Sequence, residues 1–297
     1  MRKPLLDLDA LQSFASGVEL GSFARAAERL HRSTSAVSAQ LKKLEEQAGV
    51  PILQKYGRGL EPTPAGEVLL SYARRLLELN DEAVQAVRGA ELAGSVRLGL
   101  AEDFGEGMLP QALGRFARAC PEVHVEVRVG RSLELQRALQ AGQLDLALLW
   151  RDGSPWPHQD QLGQIPLHWV AASSQPPRTD PRPLPLVLFD PPCLVRRLAC
   201  DALDQAGQPW RIAVSGSSLA GLWSAVRAGL GISARTALGL PADLRALSPA
   251  ECGLPSLPRL ELALLRAQTP LPDAAEQLRR ILLDSLAERI PEETAIA

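Results

Sequence analysis

The sequence has few of the residues that bind metals or form covalent cross-links. Its 297 residues include four cysteines: Cys120, Cys193, Cys200 and Cys252. Their separations of 73, 7 and 52 residues fit neither the CxxC spacing of metal sites nor a disulfide framework. Cys193 and Cys200 lie on one predicted helix, about 10 Å apart, which is too far for a disulfide. We interpret the cysteines as reduced core thiols and expect no metal and no other cofactor.

Long apolar runs are missing as well. No stretch of 18 apolar residues occurs, and Leu5-Leu6 near the start are followed at once by Asp7 and Asp9. A transmembrane helix and the core of a signal peptide both need longer uninterrupted apolar runs. We therefore expect a protein that stays in the cytoplasm and has no membrane partner.

The common spacing patterns of hydrolases are also absent. Ser215, Ser217 and Ser218 cluster together, but Gly216-Ser217-Ser218 is not the GxSxG turn that carries a catalytic serine. The histidines show no pattern that places a general base beside a nucleophile. We expect no catalytic residues and no enzyme. A serine hydrolase of α/β fold is kept only as an alternative.

The charge is nearly balanced but unevenly distributed. The chain has a net charge of −2, with 46% hydrophobic and 22% charged residues, which is typical of a folded globular protein. Residues 1–60 contain nine Lys or Arg against six Asp or Glu, and they contain all four lysines. The length predicts two folding units, of which the first is small and basic and the second is acidic. A basic unit is weak support for binding a polyanion.

The basic unit predicts two short helices, residues 8–18 and 22–31, separated by Gly21 and with Ser22 as the cap of the second. A third helix is predicted from its cap Ser33 to residue 46. Its apolar stripe is Val37, Leu41 and Leu44, and its remaining surface carries short polar and basic side chains: Thr34, Ser35, Ser38, Ala39, Lys42 and Lys43. Short side chains let a helix approach the base edges of the DNA major groove.

Residues 52–63 predict a β-hairpin whose turn contains Lys55 and Arg58 among glycines. This pattern fits a plain surface hairpin and also a wing that contacts phosphates. Pro64 then begins a predicted helix of about 25 residues that ends at Gly89. Its apolar residues recur at alternating steps of four and three, which predicts a coiled-coil seam with one polar layer: Leu69, Ala73, Leu76, Asn80, Ala83 and Val87.

From Ser95 onward, strands and helices alternate, which predicts a parallel α/β sheet. One βαβαβ subdomain is complete by residue 150. Residues 155–192 hold ten of the 24 prolines and are interpreted as a crossover to a second βα series. Strand 260–265 and the helix after Pro272 can return to the first subdomain. Two lobes joined by two crossings predict a cleft between them.

Many residues match the pattern of one bacterial family. In the basic unit they are Gly21-Ser22-Phe23, Ala26-Ala27, Leu30, Ser33, Val37-Ser38, Leu41, Leu44-Glu45, Gly49-Val50, Arg58, Thr63 and Ala65-Gly66. In the acidic unit they are Leu109-Pro110, Phe116, Pro121, Gly142, Leu144-Asp145-Leu146 and Gly229-Leu230-Gly231. The chain therefore resembles the LysR-type transcriptional regulators over nearly its whole length.

The resemblance implies an α/β protein in three parts. These are a winged helix-turn-helix DNA-binding domain (residues 1–63), a linker dimerisation helix (residues 64–90) and a two-lobed effector-binding domain similar to periplasmic solute-binding proteins (residues 91–297). Lobe one would comprise about 91–165 and 266–297, and lobe two about 166–265. The implied function is sequence-specific transcriptional regulation. The implied partners are double-stranded promoter DNA, a small-molecule effector, further copies of the chain in a homodimer or homotetramer, and RNA polymerase.

The DNA-binding residues implied by the helix face and the family pattern are Ser22, Arg32, Ser33, Thr34, Ser35, Ser38, Gln40, Lys42, Lys43, Lys55 and Arg58. The hydroxyl residues of the third helix are expected near base edges, and the basic residues near phosphates. The chain departs from the family at Leu53-Gln54-Lys55, where Phe-x-Arg is usual, and at Ala39, where a long polar residue is common. These departures predict sparse base contacts.

The effector-binding residues are expected at the carboxyl ends of strands and beside helix N-termini. They are Glu102, Asp103, Phe104, Arg131, Ser132, Trp150, Ser215, Ser217 and Ser218. The loop after the first strand reads Ala101-Glu102-Asp103-Phe104, where family members often have a small hydroxyl residue. Two carboxylates repel an acidic ligand, so we expect an amine-bearing or zwitterionic effector. Two alternatives stay open: the acids cap the next helix, or Arg131 pairs with one of them.

A solute-binding transport protein is the second alternative function. It would share the two lobes, and the cleft between them would hold a small molecule in the same way. Such a protein would carry no DNA-binding unit, and it would need an export signal, which the first residues do not supply. The presence of the basic N-terminal unit therefore favours a regulator.

Overall fold

The computed structural model describes residues 5–56, 59–89, 92–104, 109–174, 183–248, 253–267 and 270–287. The chain divides into two compact units, residues 1–88 and 89–297. Among the helices within these ranges, none is long and apolar enough to cross a membrane.

The first unit contains the three predicted short helices and the predicted hairpin. Each helix begins where a side chain accepts a backbone N–H: Asp7, Ser22 and Ser33 are the three caps. Gly49 follows the third helix as its C-cap, with φ = 73°. The elements are α1 (Leu8–Glu19), α2 (Phe23–Arg29), α3 (Thr34–Ala48), β1 (Leu53–Tyr56) and β2 (Gly59–Pro62), with β1 and β2 antiparallel.

The helices of this unit close around one apolar core. Val37, Leu41 and Leu44 of α3 are buried there, as predicted, together with Leu11 and Phe14 of α1. Burial of side chains of this size stabilises the unit by about 1.5–3 kcal/mol each. The apolar period of α3 therefore fixes which face of the helix is left for solvent or for a partner.

Two backbone features set how α1, α2 and α3 approach one another. A Cβ at Gly17 would lie 2.0 Å from the ring of Phe23, so only glycine lets α2 pack this closely on α1. In the turn between α2 and α3, His31 has φ = 52°, in the left-handed region that side chains usually avoid. The Arg32 N–H then donates to the Ala27 carbonyl at 2.8 Å, which closes the turn.

The long helix α4 (Pro64–Gly89) has its predicted bounds, but part of the predicted seam packs elsewhere. Ala73 is fully buried in the core of the first unit, and Leu69 packs against the same core. Both were expected in a seam between two chains. The prediction is wrong for these two residues, because the first turns of α4 use their apolar side chains within the same chain.

Five other apolar side chains of α4 form an exposed row, here called the outer stripe: Tyr72, Leu76, Leu79, Ala83 and Val87. Val87 is 81% exposed and Leu79 is 60% exposed. The steps of four, three, four and four residues keep the row on one side of the helix. The outer stripe is therefore an unpartnered apolar surface within the described part of the first unit.

The second unit contains nine strands and five helices within its described residues. The strands are β3 (Gly94–Ala101), β4 (Val123–Gly130), β5 (Leu146–Arg151), β6 (Gln159–Ala172), β7 (Leu184–Phe189), β8 (Trp210–Gly216), β9 (Ser233–Thr236), β10 (Leu244–Leu247) and β11 (Arg259–Arg266). The helices are α5 (Leu109–Ala119), α6 (Ser132–Gln140), α7 (Leu194–Gln205), α8 (Leu219–Arg227) and α9 (Asp273–Ala287).

The main sheet has the order β10-β6-β11-β5-β3-β4, with β9 also paired to β6. As predicted, β3 is parallel to β4 and to β5, and β7 is parallel to β8. The return strand β11 is antiparallel to both of its neighbours. Parallel pairs therefore form the centre of each lobe, and antiparallel strands join the two.

The proline-rich segment 155–192 is not the irregular crossover that the sequence predicted. It contains β6, a strand of 14 residues that pairs with β11 in its first half and with β9 and β10 in its second. Its side chains alternate in burial at Ile165, Leu167 and Trp169, a period of two that the proline count over the whole window obscured. Strand β10 was not predicted either.

The pairing of β11 also changes the expected lobe assignment. The predicted boundary at residue 266 places this strand in lobe two, although strand 260–265 was also expected to return to the first subdomain. Its residues 261–266 pair with β5, so they belong to the sheet of lobe one. Opposite Leu262 and Ala263 the ladder shifts by one residue, which leaves Leu162 of β6 as a bulge.

Candidate functional site

The exposed face of α3 is short and polar. Thr34, Ser35, Ser38 and Lys42 are all exposed, and Lys42 makes no ion pair within the described residues. The hydroxyl of Ser38 donates to the Thr34 carbonyl at 2.9 Å, which holds the side chain against the helix. The exposed side chains on the first turn of α3 are short. A partner with a flat surface can therefore approach the backbone of this helix closely.

Three other predicted DNA-binding residues are used inside the first unit. The ammonium group of Lys43 is bound to Asp7, and this hydrogen bond is the main reason why the pKa of Asp7 is lowered. The Gln40 amide oxygen accepts the Ser13 hydroxyl at 2.6 Å. Arg32 pairs with Asp9 at 3.1 Å. The prediction that Gln40 and Lys43 face DNA is therefore not supported by their contacts.

The hairpin is attached to α3 by a carboxylate that the sequence did not single out as functional. Glu45 accepts the backbone N–H groups of Ile52 at 3.0 Å and of Leu53 at 3.3 Å. Lys55 lies on β1 with an exposed side chain. Arg58 lies outside the described residues. Glu45 thus fixes where the hairpin starts relative to the polar face of α3.

The second unit contains a cavity of about 560 Å³ between its two lobes. Five predicted effector residues line it: Glu102, Asp103, Arg131, Ser132 and Trp150. They come from the carboxyl ends of β3 and β5 and from the start of α6. The strand ends meet there because parallel strands end at the same edge of a sheet.

The acid turn, Glu102–Phe104, follows β3 and reaches the second lobe. The Glu102 carboxylate accepts the Leu219 backbone N–H at 2.7 Å, at the first turn of α8. The Asp103 carboxylate accepts the Trp150 indole N–H at 2.8 Å and lies 3.7 Å from the guanidinium of Arg235. Both acids are therefore engaged within the chain.

Arg131 does not pair with either of these acids, so that alternative is wrong. Its guanidinium binds the carboxylate of Glu134 and donates to the Asp190 carbonyl at 3.2 Å. Arg131 also takes the cap position of α6, without a side-chain hydrogen bond to the helix. Ser132 instead accepts the Trp150 backbone N–H at 3.2 Å.

Four predicted effector residues lie outside the cavity lining. Phe104 is 4% exposed and packs on the ring of Trp150, with 5.1 Å between the ring centroids. Ser215, Ser217 and Ser218 are not part of the lining. The start of α8, where these serines were expected to meet a ligand, carries the Glu102 carboxylate instead.

Two family matches cover the chain. Residues 8–67 match the bacterial regulatory helix-turn-helix proteins of the lysR family, and residues 89–287 match the LysR substrate binding domain. The chain belongs to the LysR family. It is therefore a LysR-type DNA-binding transcriptional regulator with an effector-binding domain, and the predicted fold class and function are confirmed.

Curated relatives agree over most of their lengths. The chain is 38% identical over 262 residues to the HTH-type transcriptional regulator DgdR of Burkholderia cepacia, which covers 87% of each protein. It is 35% identical over 264 residues to the HTH-type transcriptional regulator PecT of Dickeya dadantii, covering 88% of this chain and 82% of that protein. Each match includes both units of the LysR-type regulator.

Solved structures support the fold. DarR of Vibrio fischeri, in complex with DNA, has a TM-score of 0.53 at 18% identity, covering 95% of this chain and 99% of that chain. HinK, a LysR family transcriptional regulator of Pseudomonas aeruginosa, has a TM-score of 0.50 at 22% identity, covering 98% and 100%. At these identities the likeness concerns the fold of the LysR-type regulator and not its ligands.

The sequence did not single out much of the cavity wall of this LysR-type regulator. The missing part includes Phe189, Pro191, Pro192, the first turn of α7 (residues 193–197), Trp210 and Arg235. The paired prolines directly after an apolar strand were a usable signal for a loop at the cleft. Arg235 had no such signal, because its role depends on the pairing of β9 with β6, which brings lobe two strands together.

Two cysteines of the LysR-type regulator also line the cavity. Cys193 is the cap residue of α7 and Cys200 lies two turns further along the same helix. Burial raises the pKa of the Cys200 thiol, and it raises the pKa of Cys120 in the core. These three cysteines are free; Cys120 lies in the core, as predicted, whereas Cys193 and Cys200 are only partly buried. Cys252 lies outside the described residues.

Proposed function

We propose that the regulator reads DNA with the exposed face of α3. Thr34, Ser35 and Ser38 lie at base edges, and Lys42 and Lys55 contact phosphates. The single observation that carries this assignment is the free, short-chained face of α3 beside an unpaired lysine. Gln40 and Lys43 drop out of the proposed contacts because each already has a partner within the first unit. Ser22 and Ser33 cap α2 and α3, and we propose that the N-termini of these helices lie near phosphates.

The test for this surface uses two serines in the same local environment. Ser38 and Ser224 are both exposed, and each hydroxyl donates to the carbonyl four residues earlier at 2.9 Å. We expect Ser38→Arg to abolish binding to sites found by genome-wide mapping, because the long side chain keeps α3 away from the groove. Ser224→Arg should leave gel shifts unchanged. Equal binding by both variants would contradict the assignment.

We propose that the outer stripe joins two chains into a homodimer. Its apolar residues recur at near-heptad spacing on an exposed side of α4, the geometry of a two-helix seam. In the proposed contact between the two α4 helices, Tyr72 and Leu79 take the places that were predicted for Leu69 and Ala73. Asn80 is half-buried beside the stripe, and its amide lies 3.4 Å from Asp81. Two copies would present two DNA-binding units to a partly symmetric site.

We propose that the cavity is the effector site. Its volume is within the usual range for small ligands, and Trp150, Phe189 and Trp210 give it apolar walls. It has exposed donors near the start of α7, because Arg197 is exposed and the first turn of α7 has no side-chain cap. These groups favour a ligand with an apolar body and an acceptor at the α7 end.

The expectation of an amine-bearing effector is replaced by this proposal. It depended on Glu102 and Asp103 being free to bind a cation, and both accept hydrogen bonds from the chain itself. We also propose that the ligand is bound without being transformed. Within the described residues the lining contains no histidine, and its one serine, Ser132, is engaged by Trp150.

The effector proposal is tested by a thermal-shift screen of small acids and neutral metabolites on the full chain. Gln136→Trp fills the cavity from α6, and Ser224→Trp adds the same ring on the exposed surface of α8, outside the cavity lining. We expect a stabilising compound to lose its effect in Gln136→Trp and to keep it in Ser224→Trp. Mass spectrometry of the recovered compound should show it unchanged. If the control variant loses the stabilising effect and Gln136→Trp keeps it, the ligand binds elsewhere.

A further inference from the structure

We propose that Glu102 is a built-in carboxylate ligand of the effector domain. It fills, from within the chain, an acid-binding subsite at the N-terminus of α8, so that the effector presents no acid group there. This inference rests on the proposed effector cavity and refines it. Glu102 is the group at one end of the cavity, and this end excludes acidic groups of the ligand.

The first observation is the contact between Glu102 and α8. The Glu102 carboxylate accepts the Leu219 N–H at 2.7 Å, and Ser218, the cap residue, makes no side-chain bond to the helix. The N-terminal N–H groups of a helix carry a partial positive charge and bind carboxylates and phosphates. Glu102 therefore supplies across the cleft what a capping side chain or an acidic ligand would supply.

The second observation is a buried arginine beside the acid turn. Arg235 is 2% exposed and lines the cavity, with its guanidinium 4.5 Å above the Phe189 ring. Within the described residues, its Nε and Nη2 atoms have no hydrogen-bond partner. These two nitrogens form the edge of the guanidinium that takes a carboxylate side-on. Donors suited to acids are therefore concentrated where the acid turn reaches lobe two.

The third observation is that the acid turn is closely packed against lobe two. Gly239 has φ = 70°, and a Cβ there would lie 2.4 Å from the Asp103 carbonyl oxygen. Asp103 itself lies 3.7 Å from Arg235, which is an ion pair without a hydrogen bond. The backbone of the turn is thus fixed at Gly239, and this places the neighbouring Glu102 carboxylate at the start of α8.

These contacts determine the chemistry of this end of the cavity. An acid group that approached α8 would meet the resident carboxylate of Glu102, and like charges at close range are unfavourable. Glu102 is thus a specificity-determining residue that directs an acidic effector group to the α7 end. Removing the Glu102 carboxylate should uncover a subsite that accepts a small free carboxylate such as acetate or formate.

The experiment is chemical rescue of the full-length chain by acetate. Thermal unfolding is measured for wild type, Glu102→Ala, Glu102→Gln and Asp152→Ala in sodium acetate and in sodium chloride at equal ionic strength and pH. Asp152 is the matched control, because it lines the same cavity and its carboxylate binds, among the described residues, only Ser154. Loss of one charge-assisted hydrogen bond should lower the Tm of Glu102→Ala by roughly 5 °C.

We expect acetate to restore at least half of that loss in Glu102→Ala and to leave wild type and Asp152→Ala unchanged. Glu102→Gln keeps an acceptor in the subsite, so its Tm should fall less and show no acetate effect. If Glu102→Ala does not fold, Glu102→Ser leaves similar space and carries the same test. No acetate response in the shortened variant, or equal responses in all proteins, would overturn the proposal.

Gel shifts on the same proteins separate this proposal from the proposed function. All variants should bind DNA, because Glu102 lies in the second unit and the DNA-binding surface in the first. Failure of the wild-type chain to bind DNA would contradict the DNA-binding surface, and the acetate experiment would still decide the role of Glu102. Normal DNA binding without acetate rescue would overturn only the role of Glu102.

Discussion

Lys42→Ala should weaken DNA binding in proportion to the phosphate contact it removes. Lys42 is exposed on α3 and makes no ion pair within the described residues, whereas its neighbour Lys43 is held by Asp7. The two lysines are adjacent in sequence and identical in charge. Comparing Lys42→Ala with Lys43→Ala therefore isolates the effect of position from the effect of net charge.

The size of the effect follows from counterion release. Each neutralised phosphate contributes about 0.9 to the slope of log K against log salt concentration. With two copies bound, Lys42→Ala should make the slope shallower by about 1.8. At 0.1 M salt this corresponds to binding that is on the order of 60-fold weaker. Lys43→Ala should change the slope by well under half as much.

Fluorescence anisotropy with a labelled duplex of arbitrary sequence is the suitable assay, since the salt term does not depend on base contacts. Titrations at several salt concentrations give the slope for each protein. Circular dichroism checks that each variant is folded. An unchanged slope for Lys42→Ala, or equal changes for the two variants, would refute the assignment of Lys42 to phosphate.

Three further predictions concern assembly and stability. Leu79→Glu should convert a dimer to a monomer in light scattering by placing a charge in the outer stripe, whereas Glu78→Lys, on the opposite side of α4, should not. Glu45→Ala should lower the free energy of unfolding of the first unit by about 2–3 kcal/mol in urea titrations, because two backbone N–H groups lose a charged acceptor. Asp145 is 8% exposed and accepts both the backbone and the guanidinium of Arg97. Asp145→Ala should therefore cost the second unit about 3 kcal/mol in the same assay, and a loss below 1 kcal/mol would contradict the importance of this pair.

Local signals in the sequence were sufficient for most of the elements. Ser22 and Ser33 were recognised as caps because a cap needs only one side chain and the next three residues. The buried face of α3 followed from the spacing of Val37, Leu41 and Leu44. Such features depend on neighbours within one or two helical turns, so they can be read without knowing the rest of the fold.

Features that depend on distant partners were not predictable in the same way. Lys43 looked free because Asp7 is 36 residues away, and only the packing of α1 on α3 brings the two together. The serines before α8 looked like ligand donors because the sequence does not show that Glu102, 117 residues from Leu219, reaches this helix. The strand β6 was missed because its alternation lies among prolines that mark other parts of the same window.

The shared strand β6 limits how the effector domain can respond to a ligand. Its first half is bonded to β11 and its second half to β9 and β10, so one continuous backbone runs through both lobes. Such a strand couples the two lobes mechanically, and the bulge at Leu162 interrupts its ladder with β11. We therefore expect a rotation of one lobe against the other to twist β6, and amide exchange on either side of Leu162 would report the amplitude of this twist.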